Sequence, residues 1–147
     1  MLTRDSAFFK LFLNDVGLLA SCYMDGIQLG ETDINFGAVY ENFVAQELHA
    51  HGFPLYYFNS RKVGEVDFLV EHDGRIMPIE VKSGNHYKSH PALNALLRKT
   101  DYGFKGASVF CNANTAKDGV VDYLPIYFTM FMQRNPLPPN MNYDLPI

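Results

Sequence analysis

Apolar and polar residues alternate over residues 64–84 in the way that is typical of two β-strands joined by a tight turn. Asp73 and Gly74 separate the two alternating runs, and a two-residue type I′ turn favours such residues because both of its central positions have positive φ. Counting outward from this turn places Asp67 opposite Glu80. We therefore predict an antiparallel hairpin with this register.

The predicted register separates the side chains of the hairpin onto two faces. One face is entirely apolar and consists of Val66, Phe68, Val70, Met77, Ile79 and Val81. The other face carries Leu69, Ile76 and Pro78 near the turn, then Asp67, Glu80 and Lys82. Like charges at directly opposed positions destabilise a sheet, so Asp67 and Glu80 need a proton, a cation or Lys82 beside them. The alternative interpretation is an ordinary solvated face of charged residues. Pro78 cannot donate to the ladder and is a possible site of a bulge that shifts the register.

Helical and strand patterns are also present on both sides of the hairpin. Apolar residues at helical spacing predict a helix over residues 34–51, which Gly52 and Pro54 end. Glu41 begins one of its apolar rows, so we expect its carboxylate to point partly inward and to need a partner, unless it reaches solvent at the edge. The other predicted strands lie at residues 8–13, 55–58 and 106–111, and loops are predicted at 25–33 and 112–119. Further helices are predicted at residues 18–23, after an N-cap at Ser89 with Pro91 in the first turn, and at the end of the apolar segment 120–132.

Length and composition indicate one domain, which we place at residues 1–135, followed by a proline-rich tail at residues 136–147. The net charge of −4 excludes a wholly basic nucleic-acid coat. Cys22 and Cys111 have neither metal-type spacing nor a pairing motif, so we expect buried, reduced thiols. No apolar run approaches the roughly 20 residues that cross a bilayer, and no signal-peptide pattern is present, so we expect a soluble, cytoplasmic protein.

Basic residues become frequent after the hairpin. The segment contains His86, Lys88, His90, Arg98, Lys99 and Lys105, opposed only by Asp101. Lys88, Arg98 and Lys99 are our candidate contacts to nucleic-acid phosphates, because they follow directly after the charged end of the hairpin. The alternative is the solvated face of a helix that begins near Ser89.

The order of a helical Glu41, a strand aspartate at Asp67 and Glu80-Val81-Lys82 on the next strand resembles the PD-(D/E)XK, or restriction-endonuclease-like, superfamily. In that superfamily an aspartate on one strand is followed by Glu-X-Lys on the next. The proline that usually precedes the aspartate is absent, and Val66 stands in its place. The resemblance implies an α/β (α+β) fold with a central mixed β-sheet flanked by helices.

A closer likeness covers residues 9–19, 37–48, 65–68 and 79–84. These stretches are similar to the uncharacterised C-terminal domain that follows the ATPase module in many bacterial AAA-type ATPases. The resemblance implies an N-terminal AAA-type ATPase module in cis, and we expect this chain to be a piece of a longer protein. The sequence given contains no Gly-x-x-x-x-Gly-Lys-Ser/Thr loop.

Together the residue types and the resemblance imply a phosphodiester-cleaving site that depends on Mg²⁺ or Mn²⁺. Its catalytic residues would be Glu41, Asp67, Glu80 and Lys82, and its metal ligands Asp67, Glu80 and the carbonyl of Val81. Lys82 would stabilise developing negative charge on the phosphoryl group, and Glu41 would orient water or help with a second ion. Two alternatives stay open: a non-catalytic domain that binds nucleic acid or a partner and regulates the ATPase, and an oligomerisation domain.

Overall fold

A computed structural model describes residues 9–28 and 35–134, so the predicted tail at residues 136–147 lies outside the described residues. The helices are α1 (Val16–Gln28), α2 (Phe36–Ala50) and α3 (Pro91–Leu97), with 3₁₀-helices at Thr100–Tyr102 and Ile126–Phe131. The strands are β1 (Tyr56–Ser60), β2 (Gly64–His72), β3 (Arg75–Lys82), β4 (Ala107–Cys111), β5 (Ala116–Asp118) and β6 (Val121–Pro125). They form one sheet in the order β1-β2-β3-β4-β6-β5. The pairs β3–β4 and β4–β6 are parallel and the others antiparallel, which confirms a mixed α/β sheet with flanking helices.

Two apolar layers cover the two faces of this sheet. α2 packs over one face, where Phe68 and Ile79 are buried. α3 connects the parallel strands β3 and β4 and packs Leu93 and Leu96 against Val109 on the opposite face. Burying a side chain of this size stabilises a fold by about 1.5–3 kcal/mol. We refer below to the α2 side and the α3 side of the sheet.

The predicted long helix is confirmed as α2, with both ends close to their expected positions. Asn35 caps its N-terminus, since the side-chain oxygen accepts a hydrogen bond from the backbone N–H of Ala38 at 3.2 Å. At the other end Gly52 has a φ of 78°, a left-handed conformation that favours glycine and stops the helix. Glu41 therefore lies in the middle of a regular helix and is half-buried, as its apolar row predicted.

The register of the β2–β3 hairpin is confirmed from His72–Arg75 to Phe68–Ile79, but the predicted pairing of Asp67 with Glu80 is wrong, because the ladder ends at Phe68. Phe68 pairs with Ile79, and both turn residues, Asp73 and Gly74, have positive φ. Pro78 lies in register within the same ladder, so it does not shift the pairing. The charged ends of β2 and β3 therefore lie next to each other, at the end of the hairpin far from its turn.

The predicted division of the hairpin into an apolar and a charged face is wrong at Val66, which faces the α3 side, and at Asp67, which faces the α2 side and away from Glu80. One residue of β1, Tyr57, lies opposite two residues of β2, Asp67 and Phe68. Such a bulge adds a residue to one strand and reverses the alternation of side chains beyond it. Val66 consequently packs on the α3 side, whereas Phe68 packs on the α2 side. The hairpin pattern alone does not reveal this, because the bulge arises in the pairing with β1.

Residues 9–13 do not form the predicted strand, whose first residue lies outside the described residues. The side chain of Asn42 holds the end of this segment: it accepts a hydrogen bond from Leu13 N at 2.7 Å and donates one to Leu13 O at 2.9 Å. Gln46 accepts another hydrogen bond, from Val16 N at 2.8 Å. The segment is thus tied to the side chains of α2 and does not join the sheet.

Local details differ from prediction at several element ends. α1 continues to Gln28 through the beginning of the predicted loop, and β5 lies inside the predicted loop at residues 112–119. The N-cap of α3 is His90 instead of Ser89, and the apolar segment after Val120 ends in a 3₁₀-helix. Local sequence preference leaves such boundaries poorly defined, because tertiary packing decides them.

Both cysteines are free, but only Cys111 is buried; Cys22 is exposed on α1, contrary to prediction. None of the helices within residues 9–28 and 35–134 combines the length and apolar character that crossing a membrane requires.

We predict that Asn42→Ala lowers the free energy of unfolding by about 1–3 kcal/mol, because two backbone groups of Leu13 lose their partner at a buried position. Gln46→Ala is the matched control: it removes one hydrogen bond at a less buried position and should cost less. Urea unfolding of the two variants and the wild type measures both values. Equal losses would show that Asn42 is not the main anchor of the segment.

Candidate functional site

Three carboxylates meet on the α2 side of the sheet. Glu41 lies in α2, and Glu65 and Asp67 lie near the start of β2. One oxygen of each lies within 4.8 Å of the others. Val66 faces the α3 side, so its neighbours Glu65 and Asp67 face α2, and the bulge thereby brings them to Glu41. We call these three residues the acid cluster.

The side chain of Lys10 enters the acid cluster. Its Nζ atom lies 2.5 Å from Glu41 Oε1, 2.6 Å from Glu65 Oε1 and 3.3 Å from Asp67 Oδ1. The same ammonium lies 6.0 Å from the centre of the Phe68 ring. Lys10 thus supplies the positively charged partner that the half-buried carboxylate of Glu41 needs.

Burial and charge act against each other within this group. Burial lowers the pKa of Lys10, but hydrogen bonds to Glu41 and Glu65 and the charge of Asp67 together raise that pKa above its ordinary value. Burial raises the pKa of Glu41, and the charges of Asp67 and Glu65 raise it further, while the hydrogen bond from Lys10 lowers it. One ammonium therefore faces three carboxylates that repel one another.

Glu80 and Lys82 form a second charged group at the end of β3. Lys82 Nζ lies 2.8 Å from Glu80 Oε1. Ile79 and Val81 pack on the α2 side, so Glu80 and Lys82 face the α3 side. Glu80 is only 7% exposed, and its Oε2 atom has no hydrogen-bond partner among the described residues. Burial raises the pKa of Glu80, and the nearby charge of Asp67 raises it further, against the hydrogen bond from Lys82.

Asp67 links the two groups across the end of the ladder. Its Oδ2 atom accepts a hydrogen bond from Val81 N at 2.9 Å, while Oδ1 faces Lys10. The β2–β3 ladder ends one residue away, at Phe68, so the carboxylate takes the place of a strand acceptor. Asp67 is therefore fixed in orientation by β3. Val81 contributes its N–H here, and metal binding by its carbonyl stays a prediction.

Two of the three predicted phosphate contacts share one groove along α3. The groove has a volume of about 370 Å³, and its lining includes Lys88, His90, Asn94, Arg98, Asp118 and Tyr123. Lys99 is not among its lining residues. His90 is buried and its Nε2 atom lies 2.7 Å from Tyr123 Oη. The groove thus combines two exposed cations with a buried imidazole–phenol pair.

This groove lies on the same side of the sheet as Glu80 and Lys82. Tyr123 pairs with Val109, and Val109 pairs with Glu80, so the three lie in one row across adjacent strands. Tyr123 and Val109 both belong to the α3-side core. Strands are spaced about 4.8 Å apart, which puts Glu80 roughly two strand spacings from the wall of the groove.

Sequence reasoning missed two charged residues of this site, Lys10 and Glu65. Lys10 was the only charge within an apolar run, Phe8 to Leu13, a pattern that indicates a charge with a buried partner. Glu65 lies two residues before Asp67, but the strict alternation used for the prediction gave no reason to bring it to Glu41. Only the bulge does so.

Comparison with protein-family models gives one match. A model described as a domain of unknown function (DUF4143) matches residues 36–128, which is more than half of the chain. The matched range contains Glu41, Asp67, Glu80 and Lys82, whereas Lys10 precedes it. Comparison with curated proteins and with solved structures gives no match.

The raised pKa of Glu80 predicts a pH dependence of stability. Folding raises the pKa of this carboxyl group above its ordinary value of 4.5. At pH values between the unfolded-state and the folded-state pKa, the folded protein therefore binds more protons than the unfolded protein. The contribution of Glu80 to stability is lost as the pH rises through that window. Relative to wild type, Glu80→Gln should gain stability as the pH rises from below 4.5 to 8.

Urea unfolding in the presence of a chelator, at a series of pH values, measures this difference. Glu71→Gln is the control, because Glu71 is exposed on the same hairpin. A Glu80→Gln difference that stays constant across the range would contradict the raised pKa.

Proposed function

The chain belongs to the family described as a domain of unknown function (DUF4143), and we propose that it is a metal-dependent hydrolase of DNA or RNA phosphodiesters. One observation carries this proposal: three carboxylates converge at the end of the ladder that also bears Glu80 and Lys82. The helical acid and the strand aspartate thus lie together, and Glu-X-Lys lies on the adjacent strand with Glu80 and Lys82 facing the α3 side. The fold class agrees with this function without requiring it.

The donor set fits a hard divalent ion. Mg²⁺ and Mn²⁺ prefer oxygen ligands, and oxygens on opposite sides of such an ion lie about 4–5 Å apart, which is close to the span of the acid cluster. Glu41, Glu65 and Asp67 are the residues that would hold the ion. Glu80, whose buried Oε2 atom has no hydrogen-bond partner among the described residues but faces the α3 side, and the Val81 carbonyl stay candidates. When bound, the ion would supply a Lewis acid that polarises the phosphodiester and acidifies water.

Side chains of the protein would position the ion, stabilise charge and orient water. Asp67 is oriented in advance by Val81 N–H, so its carboxylate needs little rearrangement to bind. Lys82 places a positive charge beside Glu80, where it would stabilise negative charge on a phosphoryl group. Glu41 would orient water from the α2 side.

Nucleic acid is the substrate class that the α3 groove favours. Lys88 and Arg98 would hold the phosphate backbone on the side of the sheet that bears Lys82, opposite to the acid cluster. Lys99 lies outside the groove lining and would contribute only from a distance. An AAA-type ATPase module in cis and action in the cytoplasm remain part of the proposal on the sequence likeness alone.

A second candidate function is a non-catalytic domain that binds nucleic acid or a partner and regulates the attached ATPase. Lys10 favours it, because its ammonium already contacts all three members of the acid cluster. In that case the charges would only hold the fold together. Calorimetry with Mg²⁺ separates the two candidates, since a purely structural cluster would bind no ion.

We predict that purified protein with Mg²⁺ or Mn²⁺ nicks DNA or RNA, and that Asp67→Asn lowers the rate at least a hundredfold. The amide keeps an oxygen for Val81 N–H but lacks the negative charge that an ion needs, and losses of this size are typical of electrostatic groups in active sites. The assay follows cleavage of a labelled oligonucleotide with and without a chelator.

Asp73→Asn is the matched control, because Asp73 lies in the turn at the opposite end of the hairpin and asparagine tolerates positive φ. It should cleave like the wild type. Equal cleavage by Asp67→Asn would identify a contaminating nuclease and refute the proposal.

We further predict that Lys88→Ala and Arg98→Ala each weaken oligonucleotide binding in the presence of a chelator. Each change should also lower the slope of log affinity against log salt by about one, as loss of one phosphate contact does. Fluorescence anisotropy at several salt concentrations measures both quantities. Arg134→Ala is the control, because Arg134 lies at Gly52 on the other side of the molecule. An unchanged salt slope for Lys88→Ala and Arg98→Ala would exclude the groove as a phosphate contact.

A further inference from the structure

Lys10 lies between the three carboxylates that a divalent ion would need, and we propose that it is the resident counter-ion of this site, which an arriving ion displaces. The inference rests on the proposed metal site and adds a residue that controls its affinity. Lys10 acts here on the metal ligands and is a positioning residue.

The geometry makes the two cations mutually exclusive. Lys10 Nζ contacts one oxygen each of Glu41, Glu65 and Asp67, and these three residues are also the ones whose oxygens lie within 4.8 Å of one another. An ion bound to the same oxygens at about 2.0–2.6 Å would lie within van der Waals distance of Nζ. Two cations at that separation in a half-buried site repel strongly, so one of them must leave.

The side chain of Lys10 has room to leave without unfolding the core. Its neighbours Phe9 and Leu11 are 74% and 84% exposed, so the backbone around it buries little apolar surface. The segment is held further along, by Asn42 at Leu13. A lysine ammonium on a flexible four-carbon stem can therefore move into solvent while the rest of the segment stays in place.

Lys10 Nζ contacts one oxygen of each of the three carboxylates, so release of the acid cluster requires a movement of the side chain. A groove of about 330 Å³ beside Lys10 and Glu41, between α1 and α2, lies next to this path.

Removing the ammonium should tighten metal binding. Lys10→Met keeps the apolar stem and leaves three carboxylates without their counter-ion, so an added ion no longer competes with it. We expect the dissociation constant for Mn²⁺ to fall by roughly tenfold, within the range typical of energetic coupling between two binding events. Without metal, the same variant should unfold at a lower temperature than the wild type, because the carboxylates repel one another.

Isothermal titration with Mn²⁺ on the wild type, Lys10→Met and Lys117→Met tests the proposal. Lys117 is the matched control: it also pairs with an acid, Asp122 at 2.9 Å, but on the outer strand of the sheet, and its variant should bind like the wild type. Lys10→Arg keeps the charge and should bind no more tightly than the wild type. An unchanged or weaker affinity in folded Lys10→Met overturns the proposal.

Amine labelling of the wild-type protein provides a second measurement if Lys10→Met does not fold. Mg²⁺ should increase the labelling of Lys10 and leave that of Lys117 unchanged. No increase at saturating Mg²⁺ overturns the displacement. Tight Mn²⁺ binding by Lys10→Met without cleavage would refute the hydrolase and keep this inference, whereas absence of ion binding in every variant would refute both.

Discussion

The bulge in β2 decides how charge is distributed over this molecule. With strict alternation, Asp67 would face the same side as Glu80, and Glu41 on α2 would have no acidic partner. Because Tyr57 lies opposite two residues of β2, Glu65 and Asp67 instead turn toward α2, and Glu80 stays with Lys82 on the α3 side. Asp67 connects the two groups through Val81 N–H at the point where the ladder ends. The direction in which Glu65 and Asp67 face follows from that extra residue.

Charge compensation is the second constraint, and it depends on residues far apart in sequence. Glu41, Glu65 and Asp67 repel one another, and burial raises the pKa of Glu41. The compensating ammonium comes from Lys10, which lies ahead of α1, and the segment that carries it is tied to α2 by Asn42. Asn42 on α2 thus fixes the backbone of the segment that carries Lys10, and Lys10 in turn neutralises Glu41, another residue of α2. Neutralisation by a lysine keeps the acids together, and on the displacement proposed above it would leave them accessible to a divalent ion.

The sequence predicted most of the fold, because its strongest signals are local. The Asp73-Gly74 turn and the alternation around it determine the register of β2 with β3, and the apolar rows with Gly52 determine α2. The prediction failed where a long-range pairing decides the outcome. The face of Val66 depends on β1, and the conformation of residues 9–13 depends on Asn42. For the site, the structure brings Glu41 and Asp67 together but turns Glu80 to the other side of the sheet. The positions of Glu65 and Lys10 depend on the bulge and on a segment without regular structure, which local sequence patterns do not reveal.

The contact between Phe12 and Phe68, whose ring centres are 5.5 Å apart, has a practical consequence for how the domain is delimited. Phe12, which packs on Phe68, and Lys10 both precede the range 36–128 that the family model covers. A protein trimmed to that range would keep every acid of the cluster and lose Lys10, which contacts all three, together with Phe12, which packs on the buried ring of Phe68. Truncation at the family boundary would therefore alter the electrostatics of the domain before any residue within it is changed.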